Sequence, residues 1–384
     1  MEHPKPKVAL VYDRVNSWGG AERVLIQLHQ IFPDAPLFTS VYDSRAAAWA
    51  QGWDIRTSWL QKIPWLRQRH RYFGWLMPAL FESFSFSEFD MVISVSSEAA
   101  KGVMTQPHQL HVCYLLTPTR YLWSHQREYL DQIPTFLRQS AKKVMSLLQK
   151  WDLLLASRPD VIIPISNRVK QRAEKFYNRK IELPLYPAIT ELPPAKKPMF
   201  VLNNPYFFAW GRHVAYKQFE IIIQAACKQN VPLILAGAGP QTAQLKKIAQ
   251  HLDPARENIH FVGQIPDAEI AWYLQHAQAA IIPQEEDFGL TILEATSQGC
   301  PVIIHAKSGA AECLRPDKDG FFLVSPDVST LQTAMQRALT HPWNNLDIRR
   351  QARQYAEVVW QTSFLNTIQD FWQQHKNSMK GMHE

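Results

Sequence analysis

Short runs of apolar and β-branched residues alternate along this chain with longer stretches whose apolar positions recur every three to four residues. The first pattern predicts strands, the second amphipathic helices. In the first half the strand runs are Val8–Tyr12, Met91–Val95, His111–Leu115 and Val161–Ile165. In the second half they are Tyr206–Trp210, Pro232–Ala236, Ile259–Val262, Ala280–Pro283 and Val302–His305. Helical stretches fall between them, among them Ala21–Ile31, Ala141–Leu155, Gln241–Leu252, Leu290–Gln298 and Thr330–Thr340. Such alternation predicts an α/β fold with parallel sheets. Between the halves, Glu191–Met199 (ELPPAKKPM) has three prolines in nine residues and no period, and reads as a linker. The expected organisation is two Rossmann-like domains of similar size, residues 1–190 and 200–362, joined by 191–199, with their sheets facing each other across a cleft and a last segment, 363–384, after them.

Composition narrows the class. With 384 residues, 46% hydrophobic and 20% charged, the chain has enough apolar residues for two cores. Disorder, collagen-like repeats and a disulfide miniprotein are excluded. No apolar run approaches the roughly 18–20 residues of a membrane span. Val8–Tyr12 is too short for the apolar core of a secretory signal. Cys113, Cys227, Cys300 and Cys313 lie far apart with no CxxC, which argues for a reducing compartment and against structural zinc. A cytoplasmic protein is expected. The net charge of +7 is uneven: residues 1–190 hold 24 Lys and Arg against 16 Asp and Glu. That surplus suits an anionic partner such as phospholipid, nucleic acid or a phosphorylated substrate, or else a solvated basic face.

Three segments could carry chemistry. The ordinary GxGxxG dinucleotide turn is missing after the first strand, and Gly237-Ala238-Gly239-Pro240-Gln241-Thr242 ends on threonine where that turn has glycine. Gly19-Gly20-Ala21-Glu22 instead makes a glycine turn opening a helix, a place for a phosphate or a plain N-terminal cap. Gly211-Arg212 and Lys217 follow a strand and precede a helix, putting two cations at the carboxyl end of a parallel strand. Pro283-Gln284-Glu285-Glu286-Asp287-Phe288-Gly289 runs from a strand into a helix near Leu290, with Glu294 eight residues after Glu286. The helix start suits a phosphate, and the carboxylates suit a hydroxyl-rich sugar or ribose.

These segments together resemble the family 4 retaining glycosyltransferases of the GT-B fold. EEDFGLTILEATSQGCPVI carries the resemblance, supported by Gly211-Arg212 with Lys217 and by Ser308-Gly309-Ala310-Ala311-Glu312. The first half adds Gly19-Gly20-Ala21-Glu22, Tyr114 to Trp123 (YLLTPTRYLW), Ser166-Asn167 and Tyr186-Pro187. The likeness runs from about residue 7 to 375, and its details are most similar to bacterial mannosyltransferases that use GDP-mannose. It implies that the first domain binds the acceptor and the second the nucleotide sugar, with the last helical stretch, Phe364–His375, crossing back to the first domain. Arg212 and Lys217 would clamp the donor diphosphate, and Glu286 would hold the transferred sugar with backbone N–H groups near Phe288 and Gly289. Leu290 and Thr291 would present N–H groups to the phosphates, Glu294 would bind the ribose, and Gln264 and Ile265 would lie against the base. Gly19 and Gly20 would approach the reacting centre, near Leu116 and Arg120. The departing phosphate helps deprotonate the acceptor in this family, so no protein nucleophile is expected; GT-B enzymes also need no DxD-held metal, so no metal ion or other cofactor is expected. The implied acceptor is a lipid-linked intermediate or a growing glycan in cell-surface polysaccharide synthesis.

Leu116 departs from the family pattern, which has Tyr-x-His-Thr-Pro where this chain has Tyr114-Leu115-Leu116-Thr117-Pro118. Three readings remain open: another donor, such as a UDP-sugar or a 6-deoxy sugar nucleotide; contacts rerouted through Arg120 or His111; or weakened catalysis, whose limit is a catalytically silent protein of GT-B type that binds a glycan or partner. Trp59 to Leu80 interleaves Lys62, Arg67, Arg69 and Arg71 with Trp59, Trp65, Tyr72, Phe73 and Trp75. Cations among aromatics suit peripheral contact with anionic lipid on the inner face of the plasma membrane, unless the rings are core and only the cations are exposed. No nucleic-acid-binding module accompanies them, so nucleic acid is not expected as a partner.

Overall fold

The structure, a computed structural model, describes residues 6–63, 65, 74–131 and 133–381. It divides into two compact units, one formed from within Met1–Pro187 and Val358–Glu384, the other from Ala188–Glu357.

The first unit holds a parallel sheet of β1 (Val8–Tyr12), β2 (Leu37–Thr39), β3 (Ile55–Thr57), β4 (Met91–Ser96), β5 (Leu110–Leu115) and β6 (Val161–Pro164). Their order is β3-β2-β1-β4-β5-β6. β1, β4 and β5 are buried along their whole length, as the near-continuous apolar runs of a sheet covered on both faces require. One side of this sheet packs Phe38, Phe86 and Phe89 with Leu60, Leu80 and Phe81. The last helix, Glu357–Gly381, sets Trp360 and Phe364 against the Tyr114 ring at centroid distances of 6.0 and 6.1 Å. Burial of each of these rings contributes about 1.5–3 kcal/mol to that docking.

The second unit repeats the plan with β7 (Phe207–Trp210), β8 (Leu233–Ala236), β9 (Ile259–Gly263), β10 (Ala279–Ile282), β11 (Val302–His305) and β12 (Gly320–Leu323). Their order is β12-β11-β10-β7-β8-β9, again parallel. Phe207, Leu233, Leu235, Ile281 and Ile303 form the sheet's part of the core, against Ile222, Ile223, Leu331 and Met335 from helices Phe219–Gln229 and Val328–Thr340. Residues 191–199 form no regular element, although the Lys196 N–H donates to the Ala268 carbonyl at 2.9 Å.

In each unit the first strand lies between the second and the fourth. Successive connections therefore leave β1 and β4, or β7 and β10, in opposite directions, and a crevice opens outside their carboxyl ends where ligands of doubly wound sheets bind. The strands β2, β3 and β12 were not among the sequence-predicted runs. β2 and β3 have three residues each, too few for a period to register, β12 opens on a glycine, and β3 and β12 are edge strands.

Candidate functional site

In the second unit the loops at this crevice are those predicted to carry chemistry. After β7 the chain turns at Gly211, where a side chain would meet the Lys217 Nζ at 3.0 Å. The bare glycine lets the ammonium lie over the end of the strand. Arg212, in the same loop, is exposed.

The neighbouring turn after β8 supports this one. A Cβ on Gly237 would stand 2.0 Å from the Gly211 carbonyl oxygen, and Gly237 has φ +113°. A Cβ on Gly239 would stand 2.5 Å from the His213 carbonyl oxygen. The Thr242 hydroxyl accepts the Gly239 N–H at 2.8 Å and meets the His213 Nδ1 at 3.0 Å. Gly237 to Thr242 is thus a buttress under the Gly211 loop. His213 is buried, and burial lowers its pKa, so it stays neutral here. We expect Gly237→Ala to destabilise the protein by about 2–4 kcal/mol in urea unfolding, from positive-φ strain plus a backbone clash. An unchanged midpoint would show that the two loops are not locked together.

On the other side of the crevice, β10 leads through Pro283 into Gln284–Gly289 and then helix Leu290–Ser297. Glu286 is fixed from several directions. The Gln284 amide donates to its Oε1 at 3.0 Å, and its own N–H donates to the Ser308 Oγ at 3.2 Å. The Gly309 N–H donates to the Glu286 carbonyl at 3.1 Å, and the Ala310 N–H to the Phe288 carbonyl at 2.7 Å. The motifs around Glu286 and Ser308 are therefore one construction. Gly289, at φ +98°, opens the helix and lies 3.3 Å, at its Cβ position, from the Glu286 Cβ. Leu290 and Thr291 open the first turn, where the leading N–H groups of a helix lack intrahelical acceptors, and the next, that of Ile292, donates to the Gly289 carbonyl at 3.0 Å. Glu294 is buried one turn on. Gln264 and Ile265 follow β9, the first exposed and the second half-buried.

The first unit has its own crevice at β1 and β4. Asp13, directly after β1, accepts the N–H groups of Ser97, Glu98, Ala99 and Ala100 at 2.7 to 2.9 Å. Arg14 is ion-paired with Glu98, whose other carboxylate oxygen accepts the Tyr121 hydroxyl at 2.9 Å. Burial raises the Glu98 pKa, with the Arg14 charge opposing it. Sequence reading passed over Asp13, Arg14 and Glu98. The one signal available was a charged pair directly after an apolar strand. Glu22 turns back to accept the Tyr12 hydroxyl at 2.9 Å and the Ser17 hydroxyl at 3.2 Å, so it shapes the turn in which Gly19 is half-buried and Gly20 exposed. Leu116 is half-buried at the end of β5, and Arg120 is exposed. His111 is fully buried against the Ser94 Oγ at 2.9 Å, and burial lowers its pKa to about 3. It is a neutral core residue, which removes it as a substitute for the family histidine.

Of the proposed membrane residues, Lys62 is exposed, while Arg67, Arg69 and Arg71, with Tyr72 and Phe73, lie outside the described residues. Trp59, Trp65 and Trp75 are each about half exposed, so these rings are not core. Among the described residues no helix is long and apolar enough to cross a membrane.

Residues 195–358 match the family model described as Glycosyl transferases group 1, a span that nearly coincides with the second unit. The fold is GT-B. The lipopolysaccharide outer core galactosyltransferase WaaB in its apo form superimposes with a TM-score of 0.65 at 16% identity, over 94% of this chain and 99% of that one. Anabaena Alr3699/HepE in complex with UDP-glucose gives 0.66 at 16% identity, over 95% and 100%. Among curated proteins, O-antigen chain mannosyltransferase C of Escherichia coli is 26% identical over 147 residues, 38% of each chain. D-rhamnosyltransferase WbpZ of Pseudomonas aeruginosa is 33% identical over 104 residues, 26% of this chain and 27% of that one. The GDP-mannose-dependent alpha-(1-6)-phosphatidylinositol monomannoside mannosyltransferase of Mycolicibacterium smegmatis is 27% identical over 172 residues, 41% and 45% of the two chains. The chain thus spans less than half the length of these curated relatives.

Proposed function

We propose that the protein is a glycosyltransferase that moves a sugar from a nucleotide donor, bound by the second unit, to a lipid-linked or growing-glycan acceptor bound by the first. The observation that carries this reading is the pair of loops at the β7–β10 switch point. One holds Lys217 over Gly211. The other holds Glu286 between Gln284 and Ser308. An ammonium at the strand end and a helix N-terminus suit a diphosphate leaving group, and a carboxylate held by hydrogen bonds suits sugar hydroxyls. Arg212 joins Lys217 at the diphosphate, Glu294 takes the ribose, and Gln264 and Ile265 border the base.

Transfer proceeds with retention. The bond from the sugar's anomeric carbon to the phosphate oxygen breaks as the acceptor oxygen bonds to the same face. The departing phosphate takes the acceptor's proton, and Arg212, Lys217 and the helix N-terminus take the leaving-group charge that a metal ion would otherwise neutralise. A thermal-shift panel of GDP-, UDP-, ADP- and dTDP-sugars tests the donor assignment, with GDP-mannose expected to stabilise most. Turnover should persist in excess EDTA, and strict metal dependence would reject this mechanism. The enzyme works at the inner face of the plasma membrane, where the exposed rings of Trp59, Trp65 and Trp75 and the Lys62 cation suit lipid contact.

Leu116 bears on the sugar. Two of the relatives above are named mannosyltransferases and one a D-rhamnosyltransferase, and D-rhamnose is mannose without its 6-hydroxyl. An apolar side chain in place of the family histidine would favour the deoxy sugar if it met the donor there, because a hydroxyl buried without a partner costs about 1–3 kcal/mol, roughly ten- to a hundredfold in discrimination. Leu116→His is expected to shift the ratio of kcat/KM for paired hexose and 6-deoxyhexose donors toward the hexose. If the ratio does not move, Leu116 does not read the sugar.

A further inference from the structure

A second apolar surface of the first unit lies on helix Arg138–Ala156 and the 3-10 turn Thr135–Leu137 that leads into it. The inward face of the helix is fully used. Met145 packs with Leu122 and Leu130, Leu155 and Ala156 are buried, and Asp152 is buried with Lys101. The outward face is apolar where a surface helix is ordinarily polar. Phe136 is 82% exposed, Leu147 66% and Leu154 62%, with Val144 and Leu137 also in solvent. Leu147 and Leu154 are seven residues apart, two turns of helix, so they share a face. Lys143 and Lys150 share that face at the same spacing, and Lys142 is beside them, all three exposed. Between Asp131 and Asp152 the sequence has no carboxylate, so the helix itself supplies these lysines with no counter-charge.

Large exposed apolar side chains flanked by cations of one sign mark an interaction site. Two chemistries must be met at once, an apolar medium for Phe136, Leu147 and Leu154 and anions for the lysines. A second copy of this chain supplies the first but brings the same lysines face to face. An anionic bilayer supplies both, and a helix of 19 residues, about 28 Å long, lies in its interface without spanning it. The helix Met77–Glu82, which begins just after the exposed Trp75, packs beside this one: Pro78, Leu148 and Leu155 line one cavity, and the Trp151 indole donates to Glu82 at 3.1 Å.

We propose that this face docks the protein on an anionic membrane, with Phe136, Leu147 and Leu154 among the acyl chains and Lys142, Lys143 and Lys150 at the lipid phosphates. The proposal rests on the reading that the acceptor is held at a membrane and assigns the surface that meets it, separate from Trp59–Trp75. The full chain is mixed with vesicles of phosphatidylethanolamine and phosphatidylglycerol, and with neutral phosphatidylcholine vesicles, and the bound fraction is measured by flotation without any sugar substrate. Wild type is expected to float with the anionic vesicles and to be released as salt rises. L147S/L154S should lower the partition coefficient at least tenfold at any salt. K142S/K143S/K150S should lower it by roughly fivefold per lysine, and only at low salt. All five positions are exposed, and unchanged urea midpoints and nucleotide affinities will certify folded variants. Partitioning equal to wild type in both variants overturns the proposal. So does sedimentation showing that L147S/L154S only converts an oligomer into monomers, which would make the face a contact between copies. Because nucleotide binding is read separately, failure here leaves the glycosyltransferase reading standing, and failure of donor binding leaves this one.

Discussion

Lys217→Ala is expected to cut kcat/KM for sugar transfer at least ~100-fold, equivalent to about 2.7 kcal/mol or more of lost transition-state stabilisation, while leaving the urea midpoint unchanged. The ammonium lies 3.0 Å from the vacant Cβ position of Gly211, at the carboxyl end of β7. In the proposed transfer, charge builds on the donor's diphosphate as the glycosidic bond to phosphate breaks, so a cation at that point acts more strongly on the transition state than on bound donor. The loss should therefore fall mainly on kcat, with donor affinity weakened less. Lys217→Arg should rescue little, because a planar guanidinium does not fit the space that the bare glycine leaves for a compact ammonium. Near-normal turnover in purified Lys217→Ala would remove Lys217 from the reaction, and a loss confined to KM would make it a uniform binding contact.

The sequence already pointed to Lys217 because its motif is local. A glycine, two cations, a strand before and a helix after all fall within a few residues, and the same holds for Glu286 through Glu294. Other features are formed by residues distant along the chain, and no local pattern signals them. Asp13 meets Ser97 to Ala100 across more than eighty residues, and Ser308 reaches back to Glu286 across twenty-two. The Gly237 turn is instructive in a different way. Its terminal threonine departs from the dinucleotide fingerprint that its first residues resemble. Its actual task, bracing the Gly211 loop through Gly239, His213 and Thr242, depends on contacts between two strand ends that only the sheet order brings together. The three unforeseen strands escape for the same reason. Leu37–Thr39, Ile55–Thr57 and Gly320–Leu323 are defined by their neighbours in the sheet more than by their own sequence.

Asp152→Asn is expected to destabilise the first unit by about 3–5 kcal/mol, the cost of leaving a buried charge without its counter-charge. Asp152 lies on the inward face of helix Arg138–Ala156 and accepts the Lys101 ammonium at 2.6 Å, the Thr119 hydroxyl at 2.9 Å and the Trp123 indole N–H at 2.7 Å. Lys101 is wholly buried, and its other acceptors are the Glu98 carbonyl and, at 3.3 Å, the Thr119 hydroxyl. Neither carries a charge. The asparagine keeps the shape and loses the anion, so the penalty is electrostatic and leaves no cavity. A double-mutant cycle separates the terms. Lys101→Met should cost less than Asp152→Asn, because the carboxylate left behind still has two donors. The pair K101M/D152N should be more stable than D152N alone, since the stranded ammonium is gone. The loss matters for function as well as stability, because this hub ties Lys101, three residues after Glu98, to the segment holding Thr119, Arg120 and Trp123. Urea unfolding of the three variants decides the matter. Additive penalties would show that Lys101 and Asp152 act independently, and the hub would then be a set of ordinary hydrogen bonds.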